Sequence, residues 1–248
     1  MLTGRLTVLA LLLASLDALE VVKPSKASQE WRTSKGVALF RNFFAPADFA
    51  FLQTECRRLR RSATPESNSL AVGRLAAAIP ASVEQSRGGV AELLQSTAVV
   101  ERISRAVGKE LQPAKGDFPP EVRYYGPGSG MAWHRDDAAY SEPQVEAIVT
   151  VDVSGGFDGK TQWRMPDGRV VGEVLEPNSL LLVQAEGPEH EVTTVTRGQR
   201  TIVKAIFVSS FERNGEFARL SRAAAGAAAD KSRSAAGSRT KRKYKQRR

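Results

Sequence analysis

From Pro119 onward the chain breaks into short runs of strand-forming residues, and that pattern limits the fold more than any other feature of the sequence. The runs are Glu121–Tyr125, Met131–Asp136, Val145–Val153, Thr161–Met165, Arg169–Leu175, Ser179–Gln184, His190–Val195 and Thr201–Val208. Clusters such as Tyr125-Gly126-Pro127-Gly128 and Pro166-Asp167-Gly168 punctuate them, with the residue types that tight turns demand. Short strands in close succession predict an all-β barrel or a double-sheet jelly roll. No internal repeat is visible.

Helices lead into this region. Gly36 to Phe44 reads as a strand, with Val37, Leu39 and Phe43 apolar. Pro46 suits the first turn of a helix, where its missing N–H costs nothing. Phe49, Leu52, Cys56 and Leu59 then recur at helical spacing and make a core face. Arg61 to Ser69 reads as a turn-rich connection. A second helix is predicted from about Val90 to Val107, stopped by Gly108 at the C-cap. The predicted class is therefore mainly β with N-terminal helices. Residues 36–117 supply a strand and helices that support a core at 118–208.

The two ends read as something other than core. Arg5 precedes an apolar run from Leu6 to Leu16, with Ala18 in a small-residue cleavage region. A bilayer span needs about 20 apolar residues, so residues 1–18 read as a secretory signal peptide, with a buried N-terminal helix as the alternative. Residues 19–35 read as linker. The net charge of +9 looks like a nucleic-acid signal until it is located. Ten Lys or Arg and one Asp fall between Arg222 and Arg248, so that segment alone carries +9 and residues 1–221 hold 26 charges of each sign. Any electrostatic steering belongs to this tail. Residues 221–248 are too poor in apolar surface to fold and read as disordered. The tail fits a nuclear address, a contact to nucleic acid or another anionic surface, or a solvating extension. The expected location is the secretory pathway (ER lumen or secreted), with plastid or nucleus as alternatives, and no transmembrane span remains after signal cleavage. Cys56 is the single cysteine; it permits no intrachain disulfide and reads as a small buried apolar residue.

The chemistry concentrates in four side chains. The chain has two histidines, His134 and His190, and both fall on strand-like runs. His134-Arg135-Asp136 sets an imidazole and a carboxylate two residues apart, which on a strand is the same face. Two imidazoles and one carboxylate leave coordination positions open and suit non-haem Fe(II). A structural zinc would ordinarily take four closed ligands, often thiolates. Arg200 follows His190 by ten residues on the next predicted strand. A buried guanidinium calls for a carboxylate, and its planar fork matches the far end of a dicarboxylic acid. The plainer readings are satisfied core or surface histidines and a surface arginine. Trp133 and Trp163 read as packing on strands, Asp137 as a solvated or outer acceptor, and Tyr140 to Gln144 as a loop over the mouth.

A resemblance gathers these residues. The stretch Val122 to Asp136, VRYYGPGSGMAWHRD, resembles the metal-binding opening of the prolyl 4-hydroxylase-like branch of the Fe(II)/2-oxoglutarate dioxygenases. His190 to Arg200, HEVTTVTRGQR, resembles that family's closing segment. FDGKT at Phe157–Thr161 and EPNSLLL at Glu176–Leu182 are similar to its middle strands, and VALFRNFF at Val37–Phe44 follows its lead-in more loosely. The resemblance implies a double-stranded β-helix with His134, Asp136 and His190 on iron and Arg200 on the C5 carboxylate of 2-oxoglutarate. It implies splitting of the cosubstrate with O2 to succinate and CO2, hydroxylation of an unreactive C–H bond, and ascorbate as auxiliary reductant. Two positions depart from the pattern. Met131 stands where many members have a tyrosine that helps hold the cosubstrate, and Ile202 where some have serine. Tyr125 is a second candidate for a cosubstrate-binding hydroxyl, or else a buried tyrosine of the barrel wall.

The preferred expectation is a hydroxylase of a peptidyl residue such as proline, with a protein or peptide substrate. Oxidative demethylation of nucleic acid, reached only through the tail, is the alternative with the same chemistry. A degenerate β-helix acting as a binding module is the non-enzymatic one.

Overall fold

The computed structural model describes residues 25–66, 70–79, 89–114 and 116–221. The expected signal peptide at 1–18 and the basic tail beyond Ser221 lie outside these residues.

The stretch expected as linker is helical over α1 (Lys26–Ser34). Ser25 caps it by accepting a hydrogen bond from the Ser28 amide, and Ala27, Trp31 and Ser34 fall on one buried face. The polar composition masked this spacing: i, i+4 and i+7 make a helix face whatever the flanks. β1 (Val37–Phe40) follows, then α2 (Pro46–Leu59), which buries Leu52, Cys56 and Leu59. Cys56 is the small core residue expected, and burial pushes its thiol up to about 12.

Between the helices the chain makes three short strands that the sequence did not announce: β2 (Thr64–Pro65), β3 (Ala71–Val72) and β4 (Leu75–Ala78). The helix expected over 90–107 is two, α3 (Val90–Leu94) and α4 (Thr97–Val107). Ser96 breaks it by taking extended backbone as the N-cap of α4, a position serine favours. Gly108 ends α4 with left-handed backbone, φ 76°, as its residue type requires.

The remaining strands are β5 (Gln112–Pro113), β6 (Glu121–Tyr125), β7 (Gly130–His134), β8 (Val145–Ser154), β9 (Thr161–Arg164), β10 (Val170–Glu173), β11 (Ser179–Gln184), β12 (His190–Val192) and β13 (Gln199–Val208). They form two antiparallel sheets. The major sheet runs β1-β11-β8-β13-β6-β4-β2, with β5 on β13, and the minor sheet runs β10-β9-β12-β7-β3. This is the double-stranded β-helix expected. Its leading strands β1, β2 and β4 are members of the major sheet.

Alternation along the major strands divides the protein into a core and a site. Val122 and Tyr124, Val145, Ala147 and Val149, Leu180 and Leu182, and Val203, Ala205 and Phe207 face α2 and α4 and form the main core with Leu52 and Ile103. Their neighbours Tyr125, Glu146, Ile148, Leu181, Arg200 and Lys204 point the other way and line a cavity shared with the minor sheet. Among the described residues no helix is long and apolar enough to cross a membrane.

Candidate metal and cosubstrate site

Strand pairing brings the two histidines together. β7 and β12 are antiparallel with His134 directly opposite His190, and Met131 opposite Val192. One extra residue on β7 between these pairs makes a bulge, a device that re-aims side chains next to functional sites. The imidazole centroids lie 4.2 Å apart. His134 Nδ1 sits 2.8 Å from the Ala132 carbonyl and His190 Nδ1 3.2 Å from that of Pro188. A carbonyl only accepts, so each Nδ1 carries the proton and each Nε2 presents a lone pair. That is the tautomer a metal-binding histidine holds through its outer partner.

Asp136 arrives differently from the expectation. β7 ends at His134, so Asp136 lies in irregular backbone and not on the strand face. Its carbonyl accepts from the Glu186 amide at 2.8 Å, which ties this segment to the turn after β11. The carboxylate nevertheless meets both rings: Oδ1 is 3.8 Å from His134 Nε2, and Oδ2 is 3.3 Å from His190 Nε2. One donor atom from each of the three residues lies within 4.8 Å of the others. Oδ2 is buried with no hydrogen-bond partner, so lone pairs face one another across a gap suited to a cation.

The charges follow from burial and neighbours. Burial alone would raise the Asp136 pKa, but the Lys204 ammonium and the two imidazoles hold it well below the usual carboxylate range. Burial and the neighbouring His190 lower His134. Burial would lower His190 too, but contact with Asp136 outweighs it and raises the value. Lys204 Nζ lies 3.9 Å from Asp136 Oδ1 and forms a close ion pair with the buried Glu146. Burial, with Asp136 nearby, raises Glu146.

Arg200 enters the same cavity from β13. It is 2% exposed, and it donates from Nη1 to Thr161 Oγ1 at 2.7 Å and from Nη2 to Thr150 Oγ1 at 3.2 Å. Its Nε has no partner. No carboxylate among the described residues pairs with it. Burial presses its pKa down to about 10, the mark of a buried cation short of an anion. Tyr125, opposite Arg200 in the β13–β6 pairing, has its ring 5.9 Å from the guanidinium carbon.

One cavity is thus bordered by His134, Asp136, His190, Tyr125, Met131 and Arg200 together. A larger hollow of about 620 Å³ lies between α1, β1 and α4, away from the histidines; the donor chemistry, not the volume, selects the site. Trp163 packs with Val37, Leu175, Leu181 and Val183, and Trp133 carries Arg164 over its ring at 4.5 Å. Asp137 pairs with Arg219 at 2.6 Å. The loop expected over the mouth is packed down: Tyr140 is fully buried, and Asn214 donates to the Ala138 and Tyr140 carbonyls.

Several residues of the site escaped the sequence reading. Glu146 and Lys204 each place a charge inside an apolar run, Val145–Val149 on β8 and Ile202–Val208 on β13, and that interruption was the available signal. Arg74 is 2% exposed in the same cavity, and nothing in its local sequence marks it.

No protein-family model matches the chain, and neither does any curated protein. Solved structures do. A prolyl-4-hydroxylase from Pseudomonas putida superposes with a TM-score of 0.56 at 16% identity, covering 76% of this chain and 98% of that one. A 2OG-Fe(II) oxygenase-family oxidoreductase from Burkholderia pseudomallei gives 0.59 at 16%, covering 76% and 92%. The chain has the fold of the 2OG-Fe(II) oxygenases. A Trichoplax adhaerens prolyl hydroxylase, solved with a peptide fragment of hypoxia inducible factor, gives 0.56 at 18%, covering 73% and 87%. In this oxygenase fold the cavity between the two sheets is where the described histidines, Asp136 and Arg200 converge.

Proposed function

We propose that the protein is an Fe(II)- and 2-oxoglutarate-dependent dioxygenase that hydroxylates a peptidyl residue, such as proline, with release of succinate and CO2. One observation carries the reading. A cluster of three facing lone-pair donors and a buried guanidinium that no carboxylate among the described residues pairs with share one cavity. Fe(II) fits the first, because two imidazoles and a carboxylate on one side leave its other positions open. A short diacid with a chelating 2-oxo acid end fits the two together.

His134 Nε2, Asp136 and His190 Nε2 would hold the metal, and the protons on Nδ1 fix both rings in the ligating tautomer. Arg200 would take the distal carboxylate through its fork, with Thr150 and Thr161 setting the plane of the guanidinium. Ile148, Leu181 and Ile202 give the cavity an apolar border that would limit water around the bound diacid. Bound iron supplies oxygen activation, coupling decarboxylation of the diacid to C–H hydroxylation. The peptide reading draws support from the prolyl hydroxylases of the same fold, one of them with a peptide bound. Incubation of the iron-loaded protein with 2-oxoglutarate, O2 and proline-containing peptides tests it. Succinate formation with one oxygen atom added to a peptide is the expected result. No succinate from a protein loaded with one iron per chain would overturn it.

A further inference from the structure

The cavity contains a second buried arginine to which the metal and diacid assign no task. Arg74 lies where the chain leaves β3 in the minor sheet and enters β4 in the major sheet. Gly73 makes that crossing possible: its φ is +63°, and a Cβ there would come within 3.2 Å of the Gly128 carbonyl oxygen. The guanidinium is thereby aimed between the sheets, with its contacts divided by function. Nε and Nη2 form a fork on Glu66 at 2.5 and 2.7 Å. Nη1 donates to the Tyr125 hydroxyl oxygen at 2.7 Å and lies 3.1 Å from Met131 Sδ.

The arrangement has a direction. A guanidinium only donates, so the Tyr125 oxygen is the acceptor in this bond and its own proton is left over. Among the described residues no acceptor for that proton lies within hydrogen-bond distance of it. The phenol ring has the Arg74 guanidinium carbon 5.4 Å and the Arg200 guanidinium carbon 5.9 Å from its centroid. Glu66 neutralises Arg74, so of the two arginines only Arg200 is without a carboxylate. Charge thus stays at Arg200, while Arg74 acts through the phenol.

We infer that Arg74, clamped by Glu66, is a positioning residue that turns the Tyr125 hydroxyl into the second donor to the carboxylate held by Arg200. The inference rests on the diacid site proposed above and adds to it a residue reached through another.

The test is a double-mutant cycle on cosubstrate affinity. Protein loaded with Mn(II) without oxygen is titrated with 2-oxoglutarate by calorimetry, as the unmodified chain and as Tyr125→Phe, Arg74→Met, Arg74→Lys and the Tyr125→Phe/Arg74→Met pair. One hydrogen bond to a charged group sets the expected loss at about tenfold in Kd for Tyr125→Phe. Arg74→Met loses about as much, and the pair no more than either alone. Arg74→Lys keeps a donor and recovers part of the loss, and Mn(II) affinity without cosubstrate stays the same throughout. Tyr125→Phe retains the ring, so it decides the matter even where Arg74→Met fails to fold: unchanged Kd in Tyr125→Phe overturns the inference. Losses that multiply in the pair overturn it as well. Absence of 2-oxoglutarate binding by the unmodified chain, or unaltered binding in Arg200→Met, sinks the diacid site itself and is thereby distinguishable.

Discussion

Replacing Arg200 with methionine should leave the ligand-free protein about as stable while removing its affinity for 2-oxoglutarate. The guanidinium is buried with its pKa pressed down to about 10. At about 1.4 kcal/mol per tenfold change, that depression costs the folded state roughly 3 kcal/mol. The sign follows from the depressed value. The folded protein holds this proton less tightly than the unfolded chain, so the cost is fully present below about pH 10 and fades above it. At neutral pH a methionine relieves it. Against that stand the two hydrogen bonds to Thr161 and Thr150, worth about 1.5 kcal/mol each because their donor is charged. The two sides nearly cancel, so the ligand-free Tm should move by no more than about 2–4 °C for a chain of this size. The diacid tips the balance. Removing one partner of a buried, hydrogen-bonded charge pair costs about 2–5 kcal/mol, which is roughly thirtyfold to several-thousandfold in Kd. Thermal melts of Mn(II)-loaded protein with and without 2-oxoglutarate read both effects, since a ligand that binds only the folded state raises Tm. The unmodified chain should show that rise and Arg200→Met should not. A variant that melts well below the unmodified chain without ligand, and still rises with 2-oxoglutarate, would refute the reasoning.

Two further perturbations follow from the buried charges and the crossing. Lys204→Met strands Glu146, which is 4% exposed, and should destabilise by about 3–5 kcal/mol in urea titrations, whereas the paired Lys204→Met/Glu146→Leu change should cost far less; equal losses would contradict the ion pair. Gly73→Ala places a side chain at φ +63°, 3.2 Å from backbone, and should cost about 1–3 kcal/mol, read in the same titrations; no loss would mean that the crossing does not constrain Arg74.

The strands were legible because the physics that forms them is local. Along 121–208 period-two alternation meets turn residues at each end, and β6 and β11 fall where the pattern puts them. The candidate metal donors were legible by scarcity, there being two histidines to place. Elsewhere tertiary structure decides. Leu75–Ala78 is an alanine-rich stretch with helix-forming composition, yet it pairs with β6 because the major sheet offers an edge there. Asp136 reaches the imidazoles from beyond the end of β7, held by the Glu186 amide rather than by strand geometry. Arg74 meets Tyr125 across fifty-one residues of chain, a contact that no local pattern encodes. Lys204 and Glu146 lie between these extremes: the charge on an apolar strand was readable, the partner was not.

Metal titration tests the central claim most directly. Calorimetry of Fe(II) or Mn(II) into the unmodified chain without oxygen should give one ion per chain. Asp136→Ala and His190→Ala should each lower that affinity by more than about a hundredfold, since outer partners of metal ligands alone are worth 10–100-fold, while their melts stay cooperative. A folded variant lacking either side chain that binds the ion as the unmodified protein does would contradict the account.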